Sequence, residues 1–302
     1  MQYTARALND GFAREIVGLQ LWEKLDGGTV EKLRTIWTEC GVLVFRRQAL
    51  SEHEFADFCA LFGPLERTVR RDWASQVRPE VGIISNLRDG TGKSIGGLSD
   101  QEVHWHSDQS YILNPATGAG LHAIEIAHEG GTTRWAHLGK AYEALPERLK
   151  KTVEGKRAIF RYAKRLAGYK ESTDQVVPAE SKNRTPDVIH PLVHAHPVTG
   201  RKSLYLDPTT SIAVIGMTEA DGNALLDELR DFATHPEFVY QHDWQVGDVV
   251  IWDNGFLMHQ RDHFPSTALR LMKRTTMFLP KDRHMVPEGE LADATQSSAV
   301  AA

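Results

Sequence analysis

Three residues of this chain have the types and spacing needed to hold a metal ion. His106 and Asp108 are two residues apart, and in an extended segment such residues point to the same face, so an imidazole and a carboxylate can bind one ion. His259, which follows the apolar run Val249 to Asn254, offers a third ligand from a distant part of the chain. Two histidines and one carboxylate on one face of an octahedron leave three positions open, the facial triad of non-haem Fe(II) oxygenases. The pattern predicts such a centre.

The chain has 14 histidines, so other arrangements compete with this one. His104 lies two residues before His106, but a site in that register loses the carboxylate. His235-Pro236-Glu237 also has a His-x-acid form and is predicted to be a solvated turn. His194 and His196 precede a Pro-x-Thr-Gly turn and are predicted to serve a strand end. Since a lone His-x-Asp is weak evidence, the assignment depends on further residues.

Those further residues resemble the taurine/2,4-dichlorophenoxyacetate dioxygenase family of Fe(II)/2-oxoglutarate enzymes. The family pattern is His-x-Asp, a Thr some two dozen residues later, a distant His, and an Arg ten to thirteen residues beyond it. In this chain 24 residues separate Asp108 from Thr133, and 10 residues separate His259 from Arg270. Four catalytic elements in the family's order and spacing are a strong signal.

The resemblance spans nearly the whole chain, with two departures. It covers Gly41 to Glu66 and His196 to Gly200 as well as the four elements. Thr132 stands where the family usually has Asp in Gly-Gly-Asp-Thr, and Gly255 stands where it has Arg in Trp-Asp-Asn-Arg. Neither departure replaces a metal ligand, but both leave the loop support and substrate fit open.

The resemblance implies Fe(II), O2 and 2-oxoglutarate as co-substrate, with succinate and CO2 as products. 2-Oxoglutarate would occupy two open metal positions through its C1 carboxylate and keto oxygen. Its C5 carboxylate then needs a cation and a hydroxyl, which the family places at the positions of Arg270 and Thr133. The expected reaction is hydroxylation of a small organic substrate, which cleavage can follow. The retained carboxylate of Asp108 argues against a halogenase.

Arg274 is expected to hold the substrate. If residues 270 to 278 form one strand, Arg270 and Arg274 share a face, and the residue matching Arg274 holds the anionic group in the taurine enzyme. A rim salt bridge is the alternative. Near Arg274 in the sequence, no carboxylate is expected on the same face of the strand. Burying a guanidinium without a partner is unfavourable in free energy. The expected substrate is therefore a small anion, such as an aryloxy or alkyl carboxylate, sulfonate or sulfate.

Three more residues are candidate substrate contacts. Gln109 and Tyr111 match pocket positions of the taurine enzyme, although Tyr111 could equally be a core aromatic. Asn86, at a strand end, is a candidate polar contact, with a turn cap as the alternative.

The elements that must position these residues are mainly short strands. Apolar, β-rich runs separated by Gly, Pro and Asn turns do not alternate regularly with helices, which excludes a parallel nucleotide-binding sheet. Capping boxes at Ser51 and Thr218 predict two helices. The predicted fold is mainly β with helical decoration: a double-stranded β-helix, or jelly-roll, barrel over residues 1–288. A lid loop is predicted around 161–186 and a disordered tail over 289–302.

Composition excludes several classes of protein. A net charge of −5 provides no basic surface for nucleic acid. No apolar run approaches a membrane span, and Cys40 and Cys59 cannot make a disulfide framework, so a cytoplasmic protein is expected. Family members are commonly dimers or tetramers. A tailoring hydroxylase of a biosynthetic pathway, a non-catalytic jelly-roll metal protein and a zinc hydrolase stay open as alternatives, although the last two would have no use for Thr133 and Arg270.

Overall fold

The structure is a computed structural model that describes residues 2–8, 11–68, 70–98, 100–165, 185–293 and 296. Its helices are α1 (Gly27–Cys40), α2 (Glu52–Ala60), α3 (Leu138–Ala144), α4 (Glu147–Val153) and α5 (Glu219–Ala233), with a 3₁₀ turn at Pro236–Phe238. Its strands are β1 (Thr4–Ala7), β2 (Arg14–Val17), β3 (Val42–Phe45), β4 (Gly82–Ser85), β5 (Val103–His106), β6 (Gly118–Glu125), β7 (Thr133–His137), β8 (Arg157–Phe160), β9 (Val188–Pro191), β10 (Val193–Ala195), β11 (Lys202–Leu204), β12 (Ser211–Val214), β13 (Val239–His242), β14 (Val249–Asp253), β15 (Leu257–Arg261), β16 (Leu271–Met277) and β17 (Glu290–Leu291).

Both predicted capping boxes begin helices. The Ser51 hydroxyl accepts from the Glu54 N–H while the Glu54 carboxylate accepts from the Ser51 N–H, and Thr218 caps α5 through the Asp221 N–H. The buried side chains of α2 include Phe55, Phe58 and Cys59, and burial raises the pKa of the Cys59 thiol to about 12. Cys59 is thus a core residue.

Two sheets hold the site between them. The larger has the strand order β1-β2-β3-β14-β6-β16-β4, and the smaller has β13-β7-β15-β5. Within the larger sheet only the pairing of β2 with β3 is parallel among the strands described here. Leu121, Trp135, Trp252 and Leu257 fill the space between the two sheets. This arrangement confirms the prediction of a mainly β, jelly-roll architecture with helical decoration.

The helices pack outside these two sheets. α1 and α2 bury Leu33, Trp37 and Phe55 against the larger sheet. A further sheet, β12-β8-β9-β17, shares a second core with α3, α4 and α5. The helices thus bury the apolar outer faces of the sheets. The polar side chains of the site can therefore lie on the inner faces.

Two predicted segments fall largely outside the described residues. Of the predicted lid at 161–186, residues 166–184 are outside the description, while Arg161 forms a 2.7 Å ion pair with Asp187 near the two ends of the segment. Within the predicted tail, Glu290–Leu291 pairs with β9, and residues 294, 295 and 297–302 are outside the description. Among the helices that the structure describes, none has the length and apolar character of a transmembrane segment.

Candidate active site

The structure brings His106, Asp108 and His259 together. His106 ends β5 and lies directly opposite His259 of β15, while Asp108 lies in the turn that follows β5. One potential ligand atom from each residue lies within 4.8 Å of the other two. The Nε2 atoms of His106 and His259 are 3.6 and 3.8 Å from the Asp108 carboxylate oxygens. All three side chains are buried.

Hydrogen bonds orient two of these groups. The His106 Nδ1 lies 2.8 Å from the carbonyl oxygen of His104 and so donates to it, which leaves Nε2 as the lone-pair nitrogen facing Asp108. The Asn254 amide donates to Asp108 Oδ2 at 3.0 Å and itself accepts from the Trp252 indole. Asn254, which follows β14 in the larger sheet, therefore fixes the carboxylate that follows β5 in the smaller sheet.

The electrostatics favour the protonation states that metal binding requires. Burial would raise the pKa of Asp108, but Arg274, His259 and His106 together hold that pKa well below its usual value. Burial, together with neighbouring His106, lowers the pKa of His259 well below its ordinary value. An ionised carboxylate and neutral imidazoles are the forms that bind metal ions. The nitrogen–nitrogen–oxygen donor set thus fits a divalent iron ion held by three protein groups.

Arg274 lies in contact with Asp108. Its Nη2 is 2.7 Å from Asp108 Oδ2, with the Arg274 side chain 22% exposed. The expectation that no carboxylate lies near Arg274 was therefore wrong, because the partner comes from the turn after β5, far away in sequence. Glu66, on the segment next to the C-terminal half of β16, also lies close enough to Arg274 and Asp108 for its carboxyl pKa to respond to both charges, although burial is the main cause that raises it.

Thr133 and Arg270 line one small cavity together with the two histidines. The cavity has a volume of about 50 Å³ and lies between the two sheets; its lining comprises Ile84, Leu98, Val103, His106, Leu121, Thr133, Trp252, His259, Arg261, Arg270 and Arg274. The Trp244 indole donates to the Thr133 hydroxyl oxygen at 2.9 Å, which leaves the hydroxyl proton available for another acceptor. Thr133 therefore meets the geometric condition for binding an external carboxylate.

Arg270 is a buried guanidinium, 3% exposed. Among the residues that the structure describes, no carboxylate forms an ion pair with it. Burial, followed by the charge of Arg261, lowers the pKa of Arg270 to about 9. A buried cation in this condition is stabilised by an incoming anion, and its planar fork suits a carboxylate.

Asn86 supports Arg270 and is committed to the backbone. Its side-chain oxygen accepts from the Arg270 N–H at 3.0 Å, and its amide nitrogen donates to the Ala268 carbonyl at 2.8 Å. This is the turn-cap role that the sequence left open. Asn86 thus holds the start of β16.

Gln109 and Tyr111 come shortly after Asp108 in the sequence, and their side chains have different partners. Gln109 has a positive φ of 55°, donates to Glu66 and accepts from the Ala116 N–H, so both ends of its amide have protein partners. Tyr111 stacks on Tyr162 with ring centroids 4.4 Å apart, and the Arg165 guanidinium lies 5.9 Å from its ring centroid. Tyr111 therefore forms an aromatic pair with a residue of the segment predicted as a lid.

Three residues of the site were missed by sequence reasoning. In the sequence, Asn254 is simply the last residue of an apolar run, and Glu66 is the last residue of a segment that matches the family. Arg261 lies two residues after His259, and strand alternation alone could have placed it on the same face. The signal for Arg261 was thus present in the sequence, whereas that for Glu66 was not.

The structure explains one of the two departures from the family pattern. A Cβ atom at position 255 would collide with the carbonyl oxygen of Met285, so the chain following β16 packs where a side chain would stand. Nothing in the structure explains Thr132 in place of Asp.

A larger cavity of about 410 Å³ shares Val103 and His106 with the small one. Its apolar wall includes Trp105 and Pro208, and its basic side chains include Lys164 and Arg165. It provides room for an organic group next to a metal-ligand histidine.

Comparisons with known proteins agree with this geometry. Residues 4–276 match the model of the family described as "Taurine catabolism dioxygenase TauD, TfdA family". The chain belongs to this family. It is 34% identical over 291 residues to an alpha-ketoglutarate-dependent 2,4-dichlorophenoxyacetate dioxygenase of Cupriavidus pinatubonensis, a match covering 91% of this chain and 98% of that protein. The TauD, TfdA family assignment makes the chain an alpha-ketoglutarate-dependent dioxygenase, with the Fe(II), 2-oxoglutarate and O2 requirement of that class.

Two further relatives show the same likeness. An (S)-phenoxypropionate/alpha-ketoglutarate-dioxygenase of Sphingobium herbicidovorans is 32% identical, with 88% of this chain and 91% of that protein covered. The solved structure of AAD-2 in complex with Mn(II) and N-oxalylglycine superimposes with a TM-score of 0.77 at 28% identity, covering 95% of this chain and all of that chain. The TauD, TfdA fold therefore extends over the whole site.

Proposed function

We propose that this chain is an Fe(II)- and 2-oxoglutarate-dependent dioxygenase that hydroxylates a small organic anion of the aryloxyalkanoate type. The observation that supports it most is one cavity lined by His106, His259, Thr133, Arg270 and Arg274. His106, Asp108 and His259 would hold the metal, and Thr133 and Arg270 would hold the C5 carboxylate of 2-oxoglutarate. A bound iron supplies the O2 chemistry that converts 2-oxoglutarate to succinate and CO2 and oxidises a substrate C–H bond.

The charges around the cavity favour an anionic substrate. Arg261, Arg270 and Arg274 contribute three positive charges, and a divalent metal adds two. Asp108 and the dianionic co-substrate offset three of these five charges, and Glu66, whose carboxyl pKa is raised by burial, offsets at most one more, so an excess of at least one positive charge is left. A monoanionic substrate near Arg274 removes that excess, whereas a neutral substrate leaves it in a poorly solvated site.

The larger cavity supports a substrate with a bulky organic group. Its wall of Trp105 and Pro208 suits an apolar ring, and it adjoins His106. Two relatives are named for 2,4-dichlorophenoxyacetate and (S)-phenoxypropionate, in which a carboxylate and an aromatic ring are joined by a short linker. We therefore place the carboxylate at Arg274 and the ring in the larger cavity. Gln109, Tyr111 and Asn86, predicted as contacts, are absent from the lining of both cavities, and in this proposal they support neighbouring residues of the site.

The reaction class is tested by O2-dependent succinate formation. Purified protein with Fe(II) and 2-oxoglutarate is expected to release succinate faster when an aryloxyacetate is added, and anaerobic mixing should give the visible band of a metal-bound 2-oxo acid. His106→Ala, Asp108→Ala and His259→Ala should each abolish both signals without loss of fold, checked by circular dichroism. Full activity in any one of them would contradict the assignment of three protein ligands.

The substrate class is tested by comparing matched acids and esters. Substrate-stimulated succinate release is measured with 2,4-dichlorophenoxyacetate, (S)-phenoxypropionate, an alkyl sulfate and the methyl ester of each acid. Stimulation by the acids and not the esters supports an anionic substrate. Equal stimulation by the neutral esters would show that Arg274 does not bind a substrate anion.

Other predictions accompany this proposal. A dimer or tetramer is predicted because family members commonly form them. A cytoplasmic location is predicted from the cysteine content, and Cys40 and Cys59 are both free and buried. The proposed domain extends over residues 1–288. A tailoring hydroxylase uses the same site and differs only in substrate, so the acid panel separates it from a catabolic enzyme.

A further inference from the structure

Arg261 lies next to both residues assigned to the co-substrate. It ends β15, directly opposite Thr133 of β7, and its side chain lines the same small cavity as Arg270. Side chains of directly opposed strand residues have Cβ atoms about 4.5–5.5 Å apart. The guanidinium carbons of Arg261 and Arg270 lie 5.0 and 5.9 Å from the centroid of the Phe264 ring. Two buried guanidinium groups thus share one aromatic neighbour.

Arg261 also holds the wall of the cavity. Its Nη1 donates to the carbonyl of Leu98 at 2.8 Å, and its Nη2 donates to the carbonyl of Gln101. Leu98, which has a positive φ of 56°, contributes its side chain to the cavity lining. The nearby Phe264 N–H donates to the Asp100 carbonyl at 3.1 Å. The position of Leu98 at the co-substrate end therefore depends on Arg261.

The charge of Arg261 has a consequence for the ligand. It disfavours the charge of Arg270, whose pKa burial already lowers. An anion placed beside Thr133 is attracted by both guanidinium groups at once, while a neutral group is attracted by neither. A 2-oxo acid with a distal carboxylate brings such an anion, and a 2-oxo acid with a distal methyl group does not.

We propose, building on the co-substrate site proposed above at Thr133 and Arg270, that Arg261 is a specificity-determining residue for the co-substrate, which together with Arg270 selects 2-oxo acids that carry a distal carboxylate. It acts by adding a second positive charge to the end of the cavity and by holding Leu98 against the ligand. The charge predicts selectivity between ligands, while the hold on Leu98 predicts only a general contribution to affinity. These two contributions can be measured separately.

The test compares two ligands on three variants. Dissociation constants of the Mn(II)-loaded protein are measured calorimetrically for 2-oxoglutarate and for 2-oxopentanoate, which has the same chain length without the distal carboxylate. Mn(II) prevents turnover, so activity is not required. Arg261→Gln removes the charge and retains a donor, Arg261→Lys retains the charge, and Arg134→Gln is the control. Arg134 lies on neighbouring β7, pairs with Asp262 and is absent from the cavity lining.

Arg261→Gln is expected to weaken 2-oxoglutarate at least tenfold and 2-oxopentanoate less than threefold, and Arg261→Lys should restore most of the difference. Arg134→Gln should leave both constants within twofold. Equal weakening of both ligands would overturn the selectivity role, and an unchanged 2-oxoglutarate constant would overturn the whole proposal. If Arg261→Gln fails to fold, Arg261→Lys still decides: it must keep at least a tenfold preference for the diacid, and loss of that preference contradicts the proposal.

Discussion

Arg270 and Arg274 lie four residues apart, the first directly before β16 and the second in its middle, yet their surroundings differ. Arg270 is buried, and the carboxylates in the described part of the chain leave it without an ion pair. Arg274 is partly exposed and contacts Asp108 at 2.7 Å. Arg270 is thus available to an anion from outside the protein, whereas Arg274 already contacts a carboxylate of the protein.

The difference follows from what holds each residue. The backbone of Arg270 is fixed on both sides, because its N–H donates to Asn86 and its carbonyl accepts from the Ser85 hydroxyl at 2.8 Å. An anion at Arg270 therefore meets a prepared group. An anion at Arg274 must compete with Asp108, which also receives the Asn254 amide. Binding at the substrate end is thus coupled to the metal-ligand carboxylate, and binding at the co-substrate end is not.

Replacing Arg270 should give the largest effect. Arg270→Leu leaves the C5 carboxylate of 2-oxoglutarate in a buried site without its partner, a loss of about 2–5 kcal/mol for a desolvated charge pair. The KM for 2-oxoglutarate should rise at least tenfold, while the dissociation constant of Mn(II) measured without 2-oxoglutarate should change little. An unchanged KM would place the clamp on another residue.

Replacing Arg274 should affect the substrate end and the metal ligand together. Arg274→Leu is expected to retain uncoupled succinate formation and to lose at least tenfold in substrate-stimulated turnover, with partial recovery in Arg274→Lys because a point charge cannot reproduce a two-pronged contact. Since Asp108 loses a donor, Mn(II) affinity should also change, unlike in Arg270→Leu. Separate titrations of metal, 2-oxoglutarate and aryloxyacetate check this. A variant that altered only the 2-oxoglutarate constant would reverse the roles of the two arginines.

The contrast between these arginines also shows which features of the fold and the site could be predicted from the sequence. The apolar run Val249 to Asn254 and the strand expected at residues 270 to 278 match β14 and β16 to within a few residues, because short buried runs between turn residues have few other solutions. The spacing of His106, Asp108, Thr133, His259 and Arg270 identified the residues that meet in the cavity, since it is read directly from the chain. The role of a residue within its own segment was therefore accessible.

Partners from distant segments were not accessible in the same way. The contacts between Arg274 and Asp108, and between Glu66 and Gln109, join segments whose relative register depends on how the sheets close. The alternation of side chains along one strand does not predict such contacts between segments. The same limit applies to Gly255, where the steric constraint comes from Met285 in a segment without regular pairing.

Thr133 should give a smaller effect than either arginine. Thr133→Ala removes one neutral hydroxyl and leaves the Trp244 indole without its acceptor, a cost of about 1–3 kcal/mol divided between folding and ligand binding. The KM for 2-oxoglutarate should rise by a few-fold, and Thr133→Ser, which keeps the hydroxyl, should stay within twofold of the parent. A Ser variant as weak as the Ala variant would show that the methyl group, and not the hydroxyl, matters.

Asn86 provides the smallest and most specific test of the prepared state of Arg270. Asn86→Ala removes a hydrogen bond to the Arg270 N–H and another to the Ala268 carbonyl, each contributing about 0.5–1.5 kcal/mol. Because the side chain does not contact the proposed ligand, most of this loss should appear in the free energy of unfolding, and the KM for 2-oxoglutarate should rise about threefold. Substrate-stimulated turnover at saturating 2-oxoglutarate should be unchanged, since Arg274 lies four residues further along the chain and is held by Asp108. Urea unfolding and steady-state kinetics with varied 2-oxoglutarate measure the two parts. A loss of aryloxyacetate response at saturating co-substrate would instead make Asn86 a substrate contact, and the separation between the two arginines would fail.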